Sequence, residues 1–412
     1  MRPRFARGPV AAVLALGLGA GAGPWLEPVR PDLAGERAAA SEVLTLDVTS
    51  GADAGPGSLR EALFAAAASD APALVVVHAR VELTTPLPPL AAVGGLTVEG
   101  RAFARIDARC LAGAPALDVR GPGTVLRGLR ISGAGEAVAV RADGVELDGL
   151  TLEGCGVGVR VAPGVVGLTI VRGVFEANEV GVELPADARR TRLEDNRFAR
   201  HRKAAVWAVA SAPAAGGGGE GLELRRNRFA GDEMGIVLAD VTATVEDNDF
   251  AAARTAAIYL SGAGAVVRGN RVRDGKGLGI HAVDARGVVI AGNELTGNGA
   301  VAVMVRASRD TRVEDNRLRA NAYGIATLFG AGDVVVAGNV LEDHRHDAVT
   351  VIGGAPWLRA NRVTGSRGAG LRLLDYLPVA GPRIAAAPRL DGNVFTGNRL
   401  GERLAGEYRE RR

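Results

Sequence analysis

The chain reads as all-β, a single-stranded right-handed parallel β-helix of about 12 or more coils, three strands per coil, with an N-terminal capping helix. Three observations predict it. A motif of the form β-x-x-Asn-x-apolar recurs along most of the chain, as in LEDNRF, VEDNDF, VRGNRV and VAGNVL. Each unit holds three short runs of alternating apolar residues, as in VVIAGN, ELTGN and AVAVMV. The composition is 47% hydrophobic but only 4% aromatic, with 58 Gly, which suits stacked strands of small and β-branched residues.

At the N-terminus, Arg2, Arg4 and Arg7 precede the apolar run VAAVLALGLGAGAG, and Ala20-Gly21-Ala22 offers a small-residue cleavage site. Residues 1–22 therefore read as a Sec-type signal peptide, too short and too Gly-rich to span a bilayer. With no Cys near that point, no lipobox is expected, and no later run predicts a transmembrane span. The expected location is periplasmic or secreted. Residues 23–42 read as a linker.

The three signal arginines account for the formal charge of +3. The remainder is balanced, which argues against bulk binding of nucleic acid. A monomer is expected. Cys110 and Cys155 fall about two coils apart, beyond disulfide reach, and both are expected to be buried thiols.

The β-helix domain is expected over residues 43–400, with residues 43–70 as its cap. SGADAGPGSLREALFAAA (Ser50 to Ala67) predicts a Gly/Pro turn followed by an amphipathic helix. A helix here covers the open apolar end of the solenoid. ALVVVHARVELTTPLPPL and GLTVEG follow as first strands.

The marked asparagines are Asn196, Asn227, Asn248, Asn270, Asn293, Asn316, Asn339, Asn361 and Asn393, separated by 31, 21, 22, 23, 23, 23, 22 and 32 residues. Gly128, Gly149 and Gly173 are expected in the same place upstream. Asn tolerates a left-handed corner, and its amide both donates and accepts, so stacked Asn side chains form a ladder. The closing GERLAGEYRERR (401–412) reads as a short charged helix or tail.

The GSLREA helix, the strands ending PLPPL and the Asn-marked coils together resemble secreted bacterial β-helix proteins of the pectate-lyase-like superfamily. The resemblance covers roughly residues 43–400. It is nearest to the NosD-like and carbohydrate-binding/sugar-hydrolase modules, and its motifs are specific for fold.

The third strand of each unit reads Gly/Ala-apolar-x-apolar, and its x positions face outward. They are Ala139, Arg160, Glu183, Trp207, Val237, Tyr259, His281, Met304, Ala326, Thr350 and Arg372. Trp207, Tyr259 and His281 in one line suggest a platform for sugar rings; the other reading is that they cover apolar surface under a loop. The preceding turn borders this face with His201, Arg202 and Lys203, Asp232 and Glu233, Arg254, Lys276, Asn298, Asn321 and Tyr323, then His344, Arg345, His346 and Asp347, and Arg367. Two long loops follow third strands, Ala210 to Gly221 and Leu373 to Arg389. The first is expected to be flexible, and the second, with Asp375 and Tyr376, is the candidate lid.

In the superfamily that the chain resembles, polygalacturonases use clustered aspartates; their NTD, DD, GHG and RIK signatures are absent from this sequence. Uronate lyases and C5-epimerases need a cation, a base and a proton donor. Lys276, Arg254, Arg345 or Arg367 are candidate cations, His281, His344 or His346 candidate bases, and Tyr259 or Tyr323 candidate donors. His346-Asp347 resembles part of the epimerase DPHD motif, with Arg345 in place of the proline and the first acid shifted. Substrate contacts are expected from Trp207, Tyr259, Tyr323, Arg345, Asp347, Arg367 and Arg372. No cofactor is required; Ca²⁺ is a candidate without a clear site, since no dense Asp cluster marks one, and five His, three Met and two Cys are few for copper assembly. The segment LEDHRHDAV (Leu341 to Val349) reads either as a polar solvated turn, a metal pinch, or a sugar contact. The leading function is binding of a polysaccharide, acidic in its enzymatic form as a uronate lyase or C5-epimerase substrate. The alternative is a non-catalytic scaffold or NosD-like accessory protein.

Overall fold

The structure, a computed structural model, describes residues 42–410 except 112, 210–220, 263 and 331–332. The expected signal peptide and nearly all of the Gly-rich loop lie outside the described residues.

Each coil adds one strand to each of three parallel sheets of 15, 14 and 13 strands. The first sheet runs from Leu44–Val48 to Arg389–Asp391, the second from Arg80–Glu82 to Val394–Thr396, and the third from Pro115–Val119 to Arg403–Arg409. Alternation along each strand sends one column of side chains inward. In the second sheet this column stacks Phe175, Phe198, Phe229 and Phe250 with ring centroids 4.7, 5.0 and 4.4 Å apart.

Two corners turn the chain by one device. At the corner between the first and second sheets, each ladder Asn donates Nδ2 to the Oδ1 of the next at 2.8–3.0 Å, from Asn196 through Asn393. The same Oδ1 accepts the backbone N–H of the Asn before it. The amide also donates to a first-sheet carbonyl, as from Asn316 to Ile290 O at 2.9 Å. The buried amide is thereby satisfied on every side.

The expectation of a left-handed Asn needs correcting. The positive φ belongs to the residue before it: Asp195, Arg226, Asp247, Gly269, Gly292, Asp315, Gly338, Ala360 and Gly392. That residue makes the bend, and the bend aims the Asn inward. Gly128 and Gly149 likewise sit at the bend, with Leu129 and Leu150 in the Asn place, whereas Gly173 does hold that place behind Arg172.

The corner between the second and third sheets repeats the pattern. Ala177, Arg200, Gly231, Asp274, Gly297, Ala320 and Asp343 have positive φ. The residues after them form a second inward column: Asn178, His201, Asp232, Gly275, Asn298, Asn321 and His344.

At the N-terminal end, helix Leu59–Ala67 lays Leu59, Ala62, Leu63 and Ala66 on the first strands. Ser58 Oγ accepts the Glu61 N–H at 3.2 Å, and Glu61 Oε2 accepts the Gly57 N–H at 2.6 Å, close to a capping box. At the other end, the expected charged helix or tail is instead the strand Arg403–Arg409, which pairs with Leu371–Leu377. Parallel pairing one coil below supplies the backbone partners that a free tail would lack. Cys155 is buried as expected, but Cys110 is exposed, because it stands in the loop beyond strand Arg105–Asp107; both are free. No described helix is long and apolar enough to cross a membrane.

Candidate functional site

The outward column of the third sheet keeps the expected register through every coil. Ala139, Arg160, Glu183, Trp207, Val237, Tyr259, His281, Met304, Ala326, Thr350 and Arg372 are successive partners. Between strands the position two residues earlier is restricted to Gly or Ala. At Gly324 a Cβ would come within 2.2 Å of the Ala348 carbonyl oxygen and 3.0 Å of His344 Nε2.

The lower part of the column is committed to contacts between its own side chains and their neighbours. Arg160 bridges Glu136 at 2.6 Å and Glu183 at 2.5 Å. Trp207 carries Lys203 Nζ 3.9 Å above its ring. Tyr259 and His281 meet edge to face at 5.4 Å. Burial, with Arg306 adding repulsion, pushes His281 down to about 4, so the imidazole is neutral at pH 7. Arg254 and Lys276, the expected cations of these coils, are exposed and form no ion pair among the described residues.

The upper part forms a groove of about 430 Å³. Met304, Ala326 and Thr350 make its floor, continued by Leu328, Ile352 and Leu374 in the next outward column. Tyr323 and His346 stand at its mouth with rings stacked at 4.7 Å and 27°. Along the wall Arg372 grips Asp347 in two contacts, Nε to Oδ2 at 3.0 Å and Nη2 to Oδ1 at 3.1 Å. The Ala369 N–H adds a third bond to Asp347 Oδ1 at 2.7 Å. Tyr408 closes the far side.

The expected site therefore divides. Tyr323, Asp347 and Arg372 come together in the groove, and exposed His346 joins them only through its stack on Tyr323. His281 lies three coils from His346, roughly 14 Å by the strand spacing, and Tyr259 lies one coil further. Arg367 is exposed at the border. Arg345 runs back along the corner and donates to Asn298 O at 2.7 Å.

His344 does not border the groove. It is fully buried in the second corner column, packed over Gly324 and beside Leu341. Neither ring nitrogen reaches a partner, although the Asn321 backbone lies beside the ring, and burial pushes its pKa down to about 4. A base with no path to solvent cannot serve a substrate, so His344 is removed from the catalytic candidates. His201, Asp232, Asn298 and Asn321 turn inward in the same column. His201 Nδ1 meets Asp232 Oδ1 at 2.7 Å.

The loop after Leu371–Leu377 is pinned rather than poised to move. Tyr376 and Ile384 exchange backbone hydrogen bonds at 2.8 and 2.9 Å, Ala386 N–H donates to Asp375 at 2.7 Å, and Arg383 pairs with Asp375. Leu328, Ile352, Leu374 and Tyr408 are groove residues missed by sequence reasoning; Tyr408 is the aromatic one. The signal for Tyr408 was there: Thr396-Gly397-Asn398 repeats Thr296-Gly297-Asn298, which precedes a third-sheet strand. Among the described residues no three His, Cys, Asp or Glu side chains gather to hold a metal ion.

Residues 214–376 match the family model for a right-handed β-helix region. This agrees with the three-sheet parallel coil and, over those residues, supplies its hand. No curated protein matches the chain. Similar solved structures include the catalytic unit of a thermostable α-1,3-glucanase from Streptomyces thermodiastaticus, at 12% identity over 87% of this chain and 69% of that one, with a TM-score of 0.49. The A-module of a mannuronan C-5 epimerase from Azotobacter vinelandii has 12% identity over 85% and 99%, with a TM-score of 0.47. A surface adhesin of Streptococcus pneumoniae has 12% identity over 89% and 91%, with a TM-score of 0.46.

Proposed function

We propose that this chain binds a polysaccharide along the third-sheet groove, as an exported protein. The observation that carries the reading is the stacked Tyr323–His346 pair beside an apolar floor and the Asp347–Arg372 pair. A sugar ring offers an apolar face to such rings and hydroxyls to such a charged pair. The groove volume lies within the range of ligand sites.

Binding is favoured over turnover by one feature. Arg372 is neutralised by Asp347, so it is not a free cation for a uronate carboxylate. Lyase or epimerase chemistry would have to recruit Arg345 or Arg367, with His346 as base and Tyr323 as proton donor.

The test is a titration of the full chain with acidic and neutral polysaccharides, followed by ultraviolet detection of unsaturated uronate with and without Ca²⁺. Tyr323→Ala is expected to weaken binding by about tenfold, the loss of one stacking contact. An ultraviolet signal abolished by His346→Ala would establish the lyase. No binding across the panel would transfer the assignment to a non-catalytic scaffold.

A further inference from the structure

We propose that Arg80, Arg105 and Arg130 form a comb that binds a linear sugar chain bearing an anionic group on each unit. The three residues share one register position on successive strands of the second sheet. Rungs are about 4.8 Å apart, so the row spans roughly 10 Å along the solenoid axis. Like charges stacked directly across strands repel. Further along this column no more than two arginines are consecutive, Arg197 and Arg228, before Asp249 and then Glu294 interrupt it.

The charge of the row is incompletely matched within the chain. Arg105 donates to Ser132 Oγ at 3.1 Å and to Glu153 at 3.3 Å. The parallel column two residues on also holds Glu82 and Asp107. Asp107 is gripped by Arg109 at 2.6 Å. Glu82 forms no ion pair with Arg80. Among the described residues the Arg80 and Arg130 side chains have neither hydrogen-bond nor ion-pair partners, and both are exposed.

The row lines a depression of about 390 Å³. Gly100 and Gly128 leave its floor without side chains, and Phe103, 75% exposed, stands on its rim. Arg101 also lines it, held by Glu99 at 2.7 Å. The rung spacing of about 4.8 Å is close to the length of one hexose unit, so a chain laid along the axis brings units past all three guanidinium groups, and those whose acidic group turns toward the sheet meet them. Arg meets carboxylate or sulfate through paired N–H donors. The comb lies on a different sheet from the groove and seven coils away from Met304, so it stands or fails independently of the groove.

The full chain would be titrated with an oligogalacturonate, a sulfated oligosaccharide, a neutral glucan oligomer and single-stranded DNA of matched charge. One acidic oligosaccharide, carboxylated or sulfated, is expected to bind with an affinity that falls as salt rises, while the neutral oligomer does not bind at the comb. The double variant Arg80→Gln/Arg130→Gln is expected to lose about tenfold or more in affinity. Arg197→Gln/Arg228→Gln, the other consecutive arginine pair of this column, should leave this binding unchanged, and on a Tyr323→Ala background, which weakens the groove, the comb variant should show the same loss. Equal affinity in the comb variant, or no binding of either acidic oligosaccharide, overturns the proposal. DNA binding as tight as the best sugar overturns the sugar assignment. Relief of like-charge repulsion should leave the melting temperature of the comb variant unchanged or higher; a clear fall would mean the arginines are structural.

Discussion

His344 occupies a place that its neighbours fill with amides. Asn298 donates both its backbone N–H and its Nδ2 to Asn321 Oδ1, at 2.9 and 2.8 Å. An Asn at 344 would offer Asn321 the same oxygen; the imidazole lacks it, and its nitrogens lie beside the Asn321 backbone without a hydrogen bond of normal geometry. Its folded pKa is about 4 against an ordinary 6.5. The unfolded chain therefore takes up the proton first. The contribution of this group to stability is complete above pH 6.5 and is lost as pH falls toward 4, roughly 3 kcal/mol over that window. His281, also held down to about 4 by burial and by Arg306, acts in the same direction. His344→Asn is expected to raise the melting temperature most near the acid end of the window and to flatten its pH dependence. An unaltered profile between pH 4 and 6.5 would assign the acid sensitivity elsewhere. A corner residue lacks the two-residue period of a strand, so nothing in DHRHD alone separated the inward His344 from the outward His346.

At the scale of the element, the first-corner ladder is a hydrogen-bonded rod along the solenoid. Removing one amide strands several groups together. With Asn316→Ala, the backbone N–H and Nδ2 of Asn293 lose their acceptor, and Ile290 O loses its donor. Each buried unsatisfied group costs about 1–3 kcal/mol, so a loss of about 3 kcal/mol or more is expected in chemical denaturation. An unchanged midpoint would remove the ladder as a source of stability. The ladder was legible from spacing because its asparagines recur in step with the coil. The outward column was legible too, since one alternating strand fixes the facing of the rest once coils stack in register. Assigning the left-handed backbone to Asn was the error, because two adjacent residues share one corner and spacing does not say which of them bends. The groove was only partly legible for a related reason. Arg372 and Asp347 were both expected to contact substrate, but their mutual pairing depends on a contact between successive coils.

Across the whole molecule, stability is passed from coil to coil, and each coil contacts only its neighbours. The two ends differ. Helix Leu59–Ala67 covers the first strands with buried Leu59 and Leu63. The last described coil leaves Leu390, Val394 and Leu400 between 41% and 49% exposed, and among the described residues no coil stacks on Asn393 and Asn398. Local opening should therefore begin at residues 389–410 and move inward. Hydrogen exchange is expected to be fastest in strands Arg389–Asp391 and Val394–Thr396, slower at Arg359, and slowest near the phenylalanine stack. Leu63→Asp would place a charge under the cap helix and add a second front at residues 44–77, while leaving the C-terminal gradient as it was. Uniform protection along the solenoid in both proteins would mean that the coils open as one cooperative unit. The groove lies within a few coils of the fraying end, so such a gradient would also make occupancy of the groove slow exchange in residues 389–410. A ligand confined to the arginine comb would leave that region unprotected.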